Sequence, residues 1–499
     1  MDSHQRRLGQ GFNWLGGATV AAKVVDFATT LVLLLYLTKQ QVGVASLVIS
    51  VGMIVEALNG LGTGEALIQA RAVSRPQLDT LFWYVLGAAV MVASLTLLAA
   101  PWIAALYGVA GMGGYFLAIA AKQPLVAAAV IPLALMNRDL QYERIAVVGV
   151  CATAASAVTR LALGASGAGA WALVAGYAAS GLYTLIGAQL ARPFRPRLRF
   201  RPALIWPLAR FGVRAASANI AEQMFKNVDY LLIGWFYGAA QLALYRVAFD
   251  IAMEPAMAGA TLVNRAALPV LARVAAVRSQ VAEILAWALG RSATLVAPLM
   301  AGLVLAAGPL TALLHDHAGN SYAAAAAPLR LLAAAALLRA VSQPLATVLI
   351  ASGRPGTAAR LSATMLLLLA AGVVLAGLTV PAQSGIVATA SVWLAIYPLL
   401  LAWGTRYLRR DWAIPADTLA RAFAAPAAGV AVMAVCVAAA RRLVGGGPAV
   451  QVGLVVAAVA ALYAALFLYG RKAASKAGLC PDPPRAPSFK HGAFGNRFT

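Results

Sequence analysis

The sequence predicts an all-α, polytopic membrane protein of about 14 transmembrane helices, built as two pseudo-symmetric six-helix lobes followed by two C-terminal helices. Three observations carry that prediction. First, 62% of the 499 residues are hydrophobic and 11% are charged, against roughly 45–50% and 25% in a soluble globular chain. The polar shell of a water-soluble fold cannot be assembled from so few charges. Second, the chain divides into apolar runs of membrane-spanning length. Third, the basic residues between those runs alternate in a one-sided way.

A helix needs about 20 apolar residues to cross the hydrocarbon core. Runs of that length lie near 12–37, 42–60, 80–106, 113–135, 145–163, 168–190, 213–237, 241–262, 285–313, 323–350, 357–380, 384–405, 422–440 and 449–469. The first run holds Lys23 and Asp26 and has no small-residue cleavage site, so it predicts an uncleaved helix and not a signal peptide. Abundant alanine favours close helix–helix approach.

Lys and Arg collect on the cytoplasmic side of membrane loops. With Arg6 and Arg7 inside, that side receives Arg71, Arg75, Arg138, Arg144 and the run Arg192–Arg201 (RPFRPRLRFR). It then receives Arg265, Arg273, Arg278, Arg291, Arg354, Arg360, Arg406, Arg409, Arg410 and Arg421, and a basic tail. Lys39, Arg441 and Arg442 alone fall on the other side. One missed span would scramble this asymmetry, so both termini are expected in the cytoplasm. The net charge of +23 is therefore mostly topological, and nucleic acid is not expected as a partner because no dedicated basic domain exists. The Arg192–Arg201 run is expected to be a lipid-facing linker. Cys151 and Cys436 lie in spans and Cys480 in the tail, which rules out a disulfide framework. The Pro-rich tail from Pro481 is expected to be disordered.

Lys23-Val-Val-Asp26 in the first span matches Lys226-Asn-Val-Asp229 in the seventh, and the Pro101 segment of the third matches the Pro309 segment of the ninth. Both pairs lie roughly 200 residues apart, which is the signature of an internal repeat. The chain accordingly divides into an N-lobe at 1–191, a basic linker at 192–212, a C-lobe at 213–410, two further helices at 411–470 and a tail at 471–499. Six helices per lobe give both lobes the same orientation, with a pseudo-two-fold axis along the membrane normal. That arrangement predicts a cavity between lobes which opens alternately to each side.

A charge at the bilayer centre costs about 2.5–3.5 kcal/mol on insertion scales, so such residues face a cavity or one another. The spans contain Lys23, Lys122, Arg160, Arg214, Lys226, Arg246, Arg330 and Arg339, with Asp26, Glu56, Glu222, Asp229, Asp250 and Glu254. Lys23 with Asp26, and Lys226 with Asp229, share a helix face. Two readings stand: intrahelical ion pairs, or the lining of a slightly basic cavity for an anionic headgroup such as a diphosphate. In the second reading Lys23, Arg214, Lys226 and Arg246 hold the diphosphate. Asp26, Glu56, Asp229, Asp250 and Glu254 are then candidates for a coupling ion, Na+ or H+, the only cofactor expected. Arg246 and Asp250, four apart, are expected to pair; Lys122 and Arg330 are expected to snorkel to an interface. Prolines within spans read as packing kinks. His315-Asp316-His317 reads as a solvated loop and not a metal site. With no Gly-rich phosphate loop ahead of a helix, ATP-driven transport is not expected.

Ala66-Leu-Ile-Gln69, Leu78-Asp-Thr-Leu-Phe-Trp83 and Asp229-Tyr-Leu-Leu-Ile-Gly234 with Gly238 and Tyr245 resemble polysaccharide exporters of the multidrug/oligosaccharidyl-lipid/polysaccharide superfamily. The resemblance covers roughly residues 10–420. It is nearest to flippases for undecaprenyl-diphosphate-linked oligosaccharides used in exopolysaccharide and O-antigen assembly. It implies a bacterial inner-membrane transporter, not an enzyme, with an alternating cavity and a lipid tail entering from the bilayer. The partners it implies are a lipid-linked oligosaccharide, membrane lipids and polysaccharide polymerase machinery. Glu65 departs from the usually neutral family pattern. A cation-coupled drug antiporter, which wants an acidic cavity, and a peptidoglycan-precursor flippase are the alternatives within the superfamily. A membrane glycosyltransferase or polymerase needs large extracytoplasmic loops, and the loops here are short.

Overall fold

A computed structural model of the protein describes residues 3–59, 63–70, 73–109, 111–274, 278–351, 355–412 and 416–476. The described residues form α1 (Ser3–Leu33), α2 (Lys39–Ala57), α3 (Thr63–Gln69), α4 (Arg75–Tyr107), α5 (Met112–Arg138), α6 (Tyr142–Ala165), α7 (Ala170–Ala191), α8 (Trp206–Tyr237), α9 (Ala239–Val274), α10 (Arg278–Leu313), α11 (Ala326–Ala351), α12 (Pro355–Thr379), α13 (Ala382–Trp412), α14 (Ala416–Val444) and α15 (Pro448–Lys476). Apart from the seven-residue α3, each helix coincides with one of the apolar runs. The fold is all-helical, with a single isolated bridge between His315 and Ser321 among the described residues.

Local chemistry sets the boundaries. Thr38 caps α2 through a reciprocal pair: its Oγ1 accepts from the Gln41 N–H, while Gln41 Oε1 accepts from the Thr38 N–H. Gly108 ends α4 in the left-handed region at φ 62°, a conformation glycine adopts without a Cβ penalty. At the arginine-rich end α9 and α10 continue beyond their apolar runs, because Val263, Ala267 and Leu271 pack on Val281 and Leu285 as a buried extension of the hairpin.

Among the described residues, twelve helices are long and apolar enough to cross a membrane. The other two of comparable length, α8 and α9, carry Glu222, Lys226 and Asp229, and Arg246, Asp250 and Glu254. The least apolar spans are thus the ones that open the C-lobe.

In the first lobe α4 packs on α5, α5 on α7, α6 on α7 and α1 on α6; in the second, α9, α10 and α11 pack together, with α13 on α11 and α12 on α8. Helices α14 and α15 pack against α10. The lobes meet where α2 lies along α8 and α9. There Gly43 is required: a Cβ at that position would lie 1.8 Å from the Ala239 carbonyl oxygen. One continuous core, including Leu34, Leu37, Val42, Ala239, Leu242, Tyr322 and Ala325, joins both lobes at their arginine-poor end.

The linker is exposed along much of its length, with Leu198 and Phe200 outward, but one side of it is held against the first lobe. It runs extended along α4, where the Trp83 indole N–H donates to the Arg197 carbonyl at 2.9 Å and the Arg197 N–H donates to Asp79 Oδ1 at 3.2 Å. Phe194 is buried beneath the Arg75 guanidinium. Buried Asp79 and Thr80 supply acceptors that a free linker would lack. The first residues of the tail expected at 471–499 continue α15 to Lys476 as helix, and the remainder, including the Pro-rich stretch from Pro481, lies outside the described residues.

Candidate functional site

A cavity of about 560 Å³ lies between α1, α2, α6 and α7 of the first lobe and α9 of the second. At the arginine-poor end its lining is closed by buried Leu34, Val42 and Ser46. Toward the arginine-rich end it passes along exposed Thr19, Lys23 and Gly149. The cavity therefore opens toward the arginine-rich end.

Six charged side chains line it: Lys23, Asp26, Arg160, Arg246, Asp250 and Glu254. They form three ion pairs. Lys23 meets Glu254 across the lobes at 2.8 Å, Arg160 meets Asp26 at 2.5 Å, and Arg246 meets Asp250 at 2.8 Å. Of these, Arg246–Asp250 is the pair that helical spacing predicts. The Lys23–Asp26 pairing expected from a spacing of three does not form, because each residue has a nearer partner on another helix. Equal numbers of cations and carboxylates also correct the expectation of a net-basic lining. Arg160 is the cavity residue that sequence spacing could not select, since its partner belongs to α1. Gly176 makes room for it: a Cβ there would lie 2.0 Å from Arg160 Cγ.

The remaining candidates lie elsewhere. Lys226 pairs with Glu222 one turn away on α8 at 2.5 Å, not with Asp229. Asp229 is fully buried; its Oδ2 accepts from Tyr245 OH at 2.7 Å and Trp393 Nε1–H at 3.0 Å, and its Oδ1 accepts from the Tyr230 N–H at 2.9 Å. Glu56 Oε2 accepts from the Lys122 ammonium at 2.7 Å and from Tyr177 OH at 2.5 Å. Lys122 is thus buried in the first lobe, 4% exposed, and does not snorkel to an interface. Arg330 is exposed near the arginine-poor end of α11. The Arg214 side chain lies outside the described residues.

The His315-Asp316-His317 loop is largely exposed, as expected, with His315 and His317 at the surface, but Asp316 is buried and ties the loop to the α1–α2 turn beside the cavity's closed end. The His317 N–H donates to the Leu37 carbonyl at 3.2 Å, and its Nδ1 lies 3.2 Å from the Leu35 carbonyl. The Lys39 N–H donates to Asp316 Oδ2 at 3.3 Å, and Lys39 Nζ donates to the Ser321 carbonyl at 2.8 Å. Burial pushes the Asp316 carboxyl up, but donation from Asn320 and Lys39 outweighs it and holds the group below the usual carboxylate range. The loop is ordered because the exposed end of the first lobe offers it unpaired carbonyls and a cation.

A family profile described as "Polysaccharide biosynthesis protein" matches residues 32–325. The chain is 24% identical over 351 residues to the lipopolysaccharide biosynthesis protein WzxC of Escherichia coli (strain K12), covering 69% of this chain and 70% of that protein. It is 25% identical over 286 residues to the succinoglycan biosynthesis transport protein ExoT of Rhizobium meliloti (strain 1021), covering 57% of this chain and 58% of that one. Its fold is similar to that of the lipid II flippase MurJ in an inward closed conformation, with TM-score 0.72 and 11% identity over 91% of this chain and 99% of that one.

Proposed function

The chain belongs to the polysaccharide biosynthesis protein family, and from that premise we propose that it flips undecaprenyl-diphosphate-linked oligosaccharide repeat units across the bacterial cytoplasmic membrane by alternating access. The observation that carries this reading is the cavity between lobes, lined at mid-depth by three cation–carboxylate pairs and sealed at its arginine-poor end. The arginine-rich end is the cytoplasmic one. The headgroup enters there while the lipid tail stays in the bilayer.

Lys23, Arg160 and Arg246 take the diphosphate oxygens by exchanging a carboxylate partner for a phosphate. Guanidinium groups suit this exchange because they donate two parallel hydrogen bonds to an oxyanion. A carboxylate released from its cation is then free to take up Na+ or H+. This gives Asp26, Asp250 and Glu254 a direct coupling role, with Glu56 a further candidate in the first lobe. Asp229 is poorly suited to it, since three donors already occupy its oxygens. A drug-antiporter reading wants a net acidic lining, and this lining is balanced.

The test is flipping of a fluorescent undecaprenyl-diphosphate oligosaccharide in proteoliposomes, alongside polymer export in cells. Deletion of the gene should leave repeat units accumulated in the inner leaflet. Full export by a Lys23→Ala/Arg246→Ala double variant would reject the site.

A further inference from the structure

Most cations within the spans are neutralised where they stand. Lys23, Lys122, Arg160, Lys226 and Arg246 each contact a carboxylate. Arg330 lies exposed near a helix end. Arg339 differs from all of these. It sits midway along α11, half-buried, and among the described residues it has no carboxylate partner. Its guanidinium is instead held between two aromatic rings, 5.5 Å from the Phe225 centroid on α8 and 5.4 Å from the Trp393 centroid on α13.

Those rings are fixed. Phe225 and Trp393 meet edge to face at 5.4 Å, and Trp393 stacks on Tyr397 at 6.0 Å. Trp393 is also anchored by its N–H bond to buried Asp229. The same aromatic cluster continues through Phe249 and Tyr230 to Arg246 on the cavity wall, whose guanidinium lies 4.7 Å from the Tyr230 centroid. Two arginines therefore bracket one rigid aromatic cluster, Arg246 with a counter-ion and Arg339 without. Aromatic faces orient a guanidinium but leave its hydrogen-bonding edge and full charge available. A charge kept unpaired at mid-membrane depth points to a ligand that supplies the missing anion.

We propose that Arg339 is an oxyanion-binding residue of the C-lobe, which takes a phosphate or carboxylate group of the transported molecule in a bidentate contact. Asp229 is then a positioning residue that acts through Trp393. The proposal rests on the flippase reading, and it adds a second anchor for the headgroup, separate from the three ion pairs of the cavity.

The experiment measures binding to the purified full chain in lipid nanodiscs with two probes: undecaprenyl diphosphate, which offers only phosphate, and a lipid-free oligosaccharide bearing uronic acid, which offers only carboxylate. Arg339→Gln is expected to weaken one of them by about tenfold or more, the loss typical of a charge-assisted hydrogen bond. The affected probe identifies the source of the anion. Arg339→Lys, which keeps the charge and loses the fork, is expected to fall between wild type and Arg339→Gln, and it carries the test if the glutamine variant does not fold. Unchanged affinity of the folded variants for a probe that wild type binds overturns the role of Arg339 and leaves the flippase reading standing. Failure of wild type to bind either probe removes the flippase reading and this inference with it.

Discussion

Lys23 of α1 and Glu254 of α9 meet at 2.8 Å inside the cavity, and among the described residues no other ion pair crosses between the lobes. Both side chains are substantially exposed, at 55% and 43%, so the pair adds at most about 1 kcal/mol to stability. Its importance is geometric. Helix α1 packs mainly on α6 and touches the opposite lobe little, and two ion pairs three residues apart tether it in opposite directions, Asp26 to its own lobe and Lys23 to the other. Lys23→Glu and Glu254→Lys, each placing like charges together, are expected to reduce flipping at least several-fold with little change in thermal stability. The charge-swapped double variant is expected to recover much of the loss. A double variant no better than the worse single one would show that the two residues act separately.

A different cost attaches to Lys122. Its ammonium is buried against Glu56 and lies over the Tyr177 ring, 3.4 Å from the centroid. Lys122→Met leaves the carboxylate without its cation in the interior of the first lobe. Breaking a buried pair costs about 3–5 kcal/mol; with Glu56 still 31% exposed, a loss of roughly 2–3 kcal/mol is expected. The thermal transition of the detergent-purified protein measures it. Lys122→Met/Glu56→Gln is expected to restore most of the loss, because the unpaired charge is then gone.

These two sites also show what sequence reading can reach. The helices were legible because a span must be a long apolar run, and α8 and α9 were legible despite their charges because loop sidedness fixes how many spans there are. Arg246–Asp250 was legible because both partners lie on one helix, four residues apart. Lys23–Glu254, Arg160–Asp26 and Lys122–Glu56 were not: spacing reports neighbours along a helix, whereas these partners are brought together by helix packing. The role of Asp316 between the lobes was hidden for the same reason: two of its donors come from Asn320 in its own loop, but the one that ties it to the first lobe, the Lys39 N–H, is 277 residues away in sequence.

The seal should also depend on Gly43. Because a Cβ there would lie 1.8 Å from a backbone oxygen of Ala239, no side-chain rotation relieves the clash and α9 must move away from α2. Gly43→Ala is expected to open the arginine-poor end. A cysteine placed at cavity-lining Ser46 in a background lacking Cys151, Cys436 and Cys480 is expected to react little with an impermeant maleimide from that side. Gly43→Ala should raise its labelling several-fold. Equal labelling with Gly43 intact would mean that the close contact does not close the cavity.

The pH dependence of that seal follows from Asp316. Its carboxyl is held below the ordinary range, with burial opposed by hydrogen bonds from Asn320 and Lys39. A group whose pKa falls on closure stabilises the closed form at every pH above its ordinary value of about 3.9, and the contribution is lost as pH falls through the lowered value. The titratable and charged groups around Asp316 are Lys39, His315, His317 and Tyr322, the last lying beneath the Lys39 ammonium. Spin labels at Ser166, just after α6, and Gln383, in the first turn of α13, both at the arginine-poor end, read the closure as a distance. That distance is expected to stay constant from pH 8 to about pH 5 and to lengthen only below about pH 4, while Asp316→Ala is expected to lengthen it at neutral pH. An unchanged distance in Asp316→Ala at neutral pH would remove Asp316 from the seal.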